Sequence, residues 1–182
     1  MLLDERRAVV AFGHDPREHP MEEESAQTIA WLDQEDERTA QIIRKHGVFI
    51  QYVSGDIAKS RPSFAYTTGL FGIGHPELLV FHVPTAVASG LLNDVAGRVR
   101  AGRDLVPGEV LEFDEWAHRV TVEEVPNPAE IVFAANRFAD RPDELSVPVY
   151  QLTYDDLNGR FPWESGYLNP EWYQPRPGTF RA

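Results

Sequence analysis

The sequence predicts a single α+β domain in which three helices pack on a mostly antiparallel sheet of about six strands. Two observations predict it. Hydrophobic periodicity runs helix, strands, helix, strands, helix, strand, and not as a regular strand–helix alternation. Only one connection, from 78–83 through a long helix to the next strand, suits a parallel crossover. At 182 residues the chain fits one domain. A domain of that size buries roughly 70% of the surface its unfolded chain exposes, so no disulfide or structural metal is needed.

Each element has its own signal. Residues 1–24 hold a short apolar piece, Ala8-Val9-Val10-Ala11-Phe12, which suits an edge strand or an arm on a partner subunit. The charged, proline-broken stretch after it reads as a linker. From 25 to 46 the pattern is helical, with Ile29, Leu32, Ala40 and Ile43 on one face. Gly47 follows, where a left-handed residue closes a helix. Residues 48–53 are rich in β-branched and aromatic types and form a strand, with 64–70 as its neighbour. Residues 78–83 are apolar on both faces, the mark of a strand covered on both sides.

The clearest helix is 85–101, where Val87, Leu91, Val95 and Val99 repeat every four residues. Two strands follow the Pro107-Gly108 turn, at 109–113 and 118–125. In the second, Val120 and Val122 alternate with Arg119, Thr121 and Glu123, which predicts one wet face. Asn127 as N-cap, Pro128 at the first helical position and Glu130 completing a capping box predict a helix to about 140, with Ile131, Ala135 and Phe138 inward. The last strand is 147–154, and Pro148 places that end of it at a sheet edge. The aromatic, proline-rich tail from 159 onward is expected to wrap over the body or a second subunit, because so many solvated rings are costly. The expected limits are therefore an arm and linker at 1–24, one domain at 25–166 and a tail at 167–182. A homodimer would form through the arm or the tail.

Composition excludes several partners and chemistries. The net charge is −12, and lysine occurs only at Lys45 and Lys59. Nucleic acid and anionic membrane need clustered cations; the one local cluster here, Arg98, Arg100 and Arg103, ends a helix, where positive charge is expected anyway. There is no cysteine, which rules out thiolate nucleophiles and Cys-ligated metals. No apolar run has the length of a signal peptide or a membrane span, so a cytoplasmic protein is expected.

Two segments look unlike scaffolding. In Tyr66-Thr67-Thr68-Gly69 through Gly74-His75-Pro76-Glu77, hydroxyls at a strand end lead through glycines to a histidine and a carboxylate. Such a loop can hold ligand oxygens, and Pro76 limits the backbone freedom of His75. The plain alternative is a glycine-rich turn with a hydrogen-bonded histidine. In Gln151 to Glu164, the adjacent Asp155 and Asp156 could raise each other's pKa; the alternative is a good turn with Trp163 packed beside it. His82 is either a hydrogen-bonded core residue or a group at a pocket mouth. His46 suits a helix C-terminus, and His14, His19 and His118 read as surface residues. Nucleotide-binding, serine-hydrolase and zinc-protease signatures are missing. His75, Glu77 and His82 could ligate a metal, but spacing of that kind arises readily by chance, so no metal or cofactor is assigned.

These segments carry a resemblance. Gly47, Tyr66-Thr67-x-Gly69-Leu70, Gly74-His75-Pro76-Glu77-Leu78, Gln151, Asp155/Asp156, Gly159 and Phe161-Pro162-Trp163 resemble the bacterial domain-of-unknown-function family DUF4262. The resemblance implies no catalytic role, but it implies that the two segments belong to one module. On this reading they close around a small-molecule site. His75 is the acid/base group, and Glu77 or Asp155 orients it or is the second acid/base. Tyr66, Thr67, Thr68 and His82 contact substrate, with Trp163 as an apolar wall. Hydrolysis or proton transfer on a small polar metabolite is the expected chemistry. The rival is a non-enzymatic acidic immunity or regulatory module that binds a basic protein. A flavin-binding split barrel is a third reading.

Overall fold

A computed structural model describes residues 19–142 and 145–182. It contains α1 (His19–His46), β1 (Phe49–Val53), β2 (Phe64–Thr68), β3 (Glu77–Phe81), α2 (Thr85–Arg100), β4 (Val110–Leu111), β5 (Val120–Glu124), α3 (Phe133–Phe138) and β6 (Val149–Tyr154). The arm expected at the N-terminus lies outside the described residues. The helix expected from 25 begins at His19, with Pro20 in its first turn, where a missing N–H costs nothing. Two compact units divide after Arg38, and the second, Thr39–Ala182, carries the whole sheet. Among the described residues no helix is long and apolar enough to cross a membrane.

The six strands run in the order β1-β2-β3-β6-β5-β4. Every pairing is antiparallel except β3 with β6. The fold is α+β, as the sequence predicts. β6 is central, however, not an edge strand. Pro148 sits one residue before it, and its carbonyl still accepts from the Glu77 N–H at 2.9 Å, so the missing N–H removes nothing from the ladder.

Both sheet faces are covered. On one, Leu91, Leu92, Val95 and Val99 of α2 pack against Ala65, Leu78, Val80, Val120, Val122 and Leu152. On the other, Phe64, Tyr66, Leu79 and Phe81 pack against Ile131, Val132, Ala135 and Phe180. β2 and β3 are consequently buried along their whole length. Gly47 closes α1 with φ 93° and donates to the Ile43 carbonyl at 2.7 Å, a left-handed conformation that favours glycine.

Two local expectations are corrected. β5 has no continuous wet face, since Thr121 is buried and Glu123 half-buried. Asn127 does not cap a helix. Its amide donates to the Phe180 carbonyl at 2.8 Å and to Glu130 at 2.7 Å, and a short 3-10 turn at Pro128–Glu130 precedes α3. Of its inward residues, Ile131 and Ala135 are buried and Phe138 is half-buried. The tail does lie on the body. Phe180 packs edge-on against Phe64 and Phe81 at 5.4 and 4.9 Å.

Candidate functional site

The β2–β3 loop is organised by Glu77. This carboxylate is 1% exposed. Its Oε2 accepts from Thr67 Oγ1 at 2.6 Å, and its Oε1 accepts from the Gly69 and Phe71 N–H groups at 2.7 and 3.0 Å. Thr67 Oγ1 in turn accepts from the Leu78 N–H at 2.9 Å. Such a set satisfies a buried charge and fixes the loop in one conformation. Tyr66 is committed as well. Its hydroxyl accepts from the Ala134 N–H at 3.2 Å, and burial pushes the phenol pKa up despite that bond and the Arg137 charge. His75 Nδ1 lies 2.7 Å from the Pro76 carbonyl and therefore donates to it. His75 Nε2 and Thr68 Oγ1 are buried without a partner, and the His75 ring meets Tyr150 edge-on at 5.7 Å.

The carboxylates after β6 are equally occupied. Asp155 accepts from the Arg119 N–H at 2.9 Å and from Arg119 Nε at 2.8 Å, and its carbonyl lies 2.6 Å from His118 Nδ1. His118 is thus half-buried, not a surface residue. Asp156 accepts from the N–H groups of Asn158, Arg160 and Leu168 at 2.8, 3.0 and 2.8 Å. The pKa of Asp156 is not raised, contrary to the expectation for adjacent acids. Burial pushes it up, but the three backbone donors and the Arg160 charge outweigh burial and the carboxyl is held below its ordinary value.

Topology keeps the two segments apart. Glu77 pairs with Val149 at the start of β6, whereas Asp155 follows the last residue of β6. Six residues of strand, about 20 Å at ~3.3 Å each, separate them. None of the cavities described among these residues is lined by both His75 and Trp163, and parallel pairing of β3 with β6 puts Glu77 and Asp155 at opposite ends of β6. The same geometry separates His82 from Glu77, and among the described residues no three His or carboxylate groups gather as metal ligands.

His82 lies at the Asp155 end, just after β3, with φ 48°. Its ring packs against Tyr173 at 3.8 Å and Trp172 at 5.0 Å, its Nδ1 is unpartnered, and burial pulls its pKa down. Trp163 is half exposed and stacks on Phe161 at 5.0 Å with planes 2° apart. Arg176 covers Trp163 at 4.5 Å and Arg119 covers Phe161 at 5.4 Å, which makes a ladder of two rings between two cations.

A family model described as Domain of unknown function (DUF4262) matches residues 42–168, well over half of the chain. The chain belongs to this family. No curated protein and no solved structure matches it. The DUF4262 region spans β1 to β6 and the turn held by Asp156, and it stops before the segment that carries Trp172, Gln174, Arg176 and Arg181.

A groove of about 920 Å³ lies across that limit. One wall is the Ser60-Arg61-Pro62 turn of the DUF4262 region; the other is the C-terminal segment, with Trp172, Gln174, Arg176 and Arg181. The first wall is held by reciprocal backbone bonds between Asp56 and Arg61, both 2.9 Å. Gly55 lets the chain pass close behind it, since a Cβ there would meet Ser63 N and Pro62 C. The second wall is held by Gln174. Pairing of β3 with β6 stops at Leu79–Gln151, which leaves the Tyr154 backbone groups open at this end. The Gln174 amide fills the gap, accepting from Tyr154 N–H at 2.9 Å and donating to Tyr154 O at 2.8 Å. Gln151 Nε2 adds a bond to the Pro175 carbonyl at 2.9 Å. Sequence reasoning missed these residues. The density of rings in the tail is the one signal that could have found them.

Proposed function

We propose that this protein binds a small molecule in the groove between the Ser60-Arg61-Pro62 turn and the C-terminal segment. The observation that carries the reading is the groove itself, about 920 Å³ between one wall held by backbone bonds of the Asp56–Arg61 turn and another held by the buried Gln174–Tyr154 bonds. That volume falls within the roughly 300–1,000 Å³ typical of ligand pockets, and pre-formed walls lower the entropic cost of binding. Trp172 and three prolines give the groove apolar surface, and its arginines give it polar contacts. The acid–base reading draws no such support. Glu77 and Asp155 are saturated by the protein's own donors, and His75 stands at the far end of the sheet.

The test is retention of a ligand. The full chain is incubated with a small-molecule cell extract and examined by native mass spectrometry and thermal melting. A retained species that raises the melting temperature, and that Trp172→Ala releases while His75→Ala does not, is the expected result. The opposite pattern of release contradicts the reading.

One observation favours a second reading, a regulatory or immunity module for a basic protein. Ile29 and Trp31 on α1 are both more than half exposed, on a helix that also carries Asp33, Glu35, Asp36 and Glu37. Capture of a basic protein that weakens with salt and with Trp31→Ser would support it.

A further inference from the structure

The charges of the groove are not equivalent, and the difference specifies a ligand class. Three arginines line it, Arg61, Arg176 and Arg181. Arg176 is already engaged by both oxygens of Glu123, at 3.0 and 2.5 Å, and lies over Trp163. Arg181 pairs with Glu130 at 2.6 Å. The Arg61 guanidinium meets no carboxylate among the described residues; the one hydrogen bond it makes among them goes to the Arg181 carbonyl at 3.4 Å, a weak bond. The groove therefore holds one uncommitted guanidinium. It also holds one carboxylate, Glu171, which pairs with no cation among the described residues and would repel a second negative centre on a ligand.

Arg61 is presented by a rigid turn. Ser60 before it has φ 52°, a left-handed conformation that L residues seldom adopt, and Pro62 after it is buried. The guanidinium is thus anchored at its base while its planar fork stays open to a planar partner. Carboxylates match that fork with two parallel bonds. The groove also presents a planar ring and three prolines: Trp172, braced edge-on by His82 and Tyr173, with Pro62, Pro162 and Pro175.

We propose that the ligand of this groove is a small monocarboxylate with a flat apolar body, its carboxylate gripped by Arg61 and its body laid against Trp172. This rests on the groove being the binding site, and it adds the charge, shape and contact residue of what binds there. A polyphosphate does not fit, since two of the three arginines are already neutralised and Glu171 opposes further negative charge.

The experiment uses the full chain and three probes: 2-naphthoate, its uncharged amide, and inorganic triphosphate, each titrated by calorimetry. Naphthoate is expected to bind about ten-fold or more tightly than the amide, as one charge-assisted contact implies, and triphosphate more weakly than either. Arg61→Ala is expected to abolish the difference between naphthoate and amide without changing amide affinity, and Arg61→Lys to restore part of it. Trp172→Ala is expected to weaken both aromatic probes alike. Circular dichroism checks that each variant folds. Equal affinity for naphthoate and amide, or a preference that survives Arg61→Ala, overturns the proposal and leaves the groove as the site. A neutral or cationic ligand recovered from extract and released by Trp172→Ala does the same. If extract and probes all fail to bind, both fall.

Discussion

The β2–β3 loop and the groove beside the C-terminal segment are both rich in polar residues, yet they spend them differently. In the loop, Thr67, Glu77 and the Gly69 and Phe71 N–H groups consume one another. In the groove, Gln174 consumes itself on Tyr154 while Arg61 is left with one weak contact. Buried polar groups that satisfy the backbone specify a fold. Exposed ones on a rigid support, left unsatisfied, are available to a ligand.

The largest expected effect breaks the first half of this comparison. Glu77→Ala removes a buried carboxylate and strands three donors, and should cost about 3 kcal/mol or more of unfolding free energy, measured by urea denaturation. A loss below about 1 kcal/mol would mean that the loop does not depend on it. Gln174→Ala comes next. It opens both Tyr154 backbone groups at the groove wall, for an expected loss of about 2 kcal/mol together with weaker ligand retention.

A smaller effect depends on pH. Burial pulls the His82 pKa below its ordinary value of about 6.5, so the folded protein binds that proton less well than the unfolded chain. The contribution is complete above about pH 6.5 and is lost as pH falls through the folded value. His82→Asn keeps a residue that tolerates left-handed backbone, and should flatten the fall in melting temperature between pH 7 and pH 5. An unchanged slope would remove His82 from the account. The smallest effect on stability is Arg61→Ala, expected within about 0.5 kcal/mol of the parent because the side chain is exposed and meets only one carbonyl. A larger loss would show that Arg61 belongs with Glu77 and not with a ligand.

Much of the fold was legible because burial leaves periodic traces. The unbroken apolar run at 78–83 marked β3 as covered on both faces, and the four-residue spacing from Val87 to Val99 marked α2. What escaped depends on partners distant in the chain. Glu123 of β5 is held by Arg176 about fifty residues later, and the Asn127 amide is engaged by the Phe180 carbonyl. Pro148 read as an edge signal, yet the ladder begins one residue after it. Arg61 escaped notice for a related reason. A glutamate that ties a loop together and a glutamate that acts on a substrate look the same in sequence, so Glu77, His75 and Asp155 stood out and Arg61 did not. Only the parallel pairing of β3 with β6 shows that Glu77 and Asp155 stand at opposite ends of β6.

Hydrogen exchange with and without a retained small molecule tests the central claim most directly. Slower exchange confined to the turn at 56–63 and the segment at 171–181, with 69–77 unchanged, is the predicted result. Protection of 69–77 around His75, with the turn and the C-terminal segment unaffected, would contradict it.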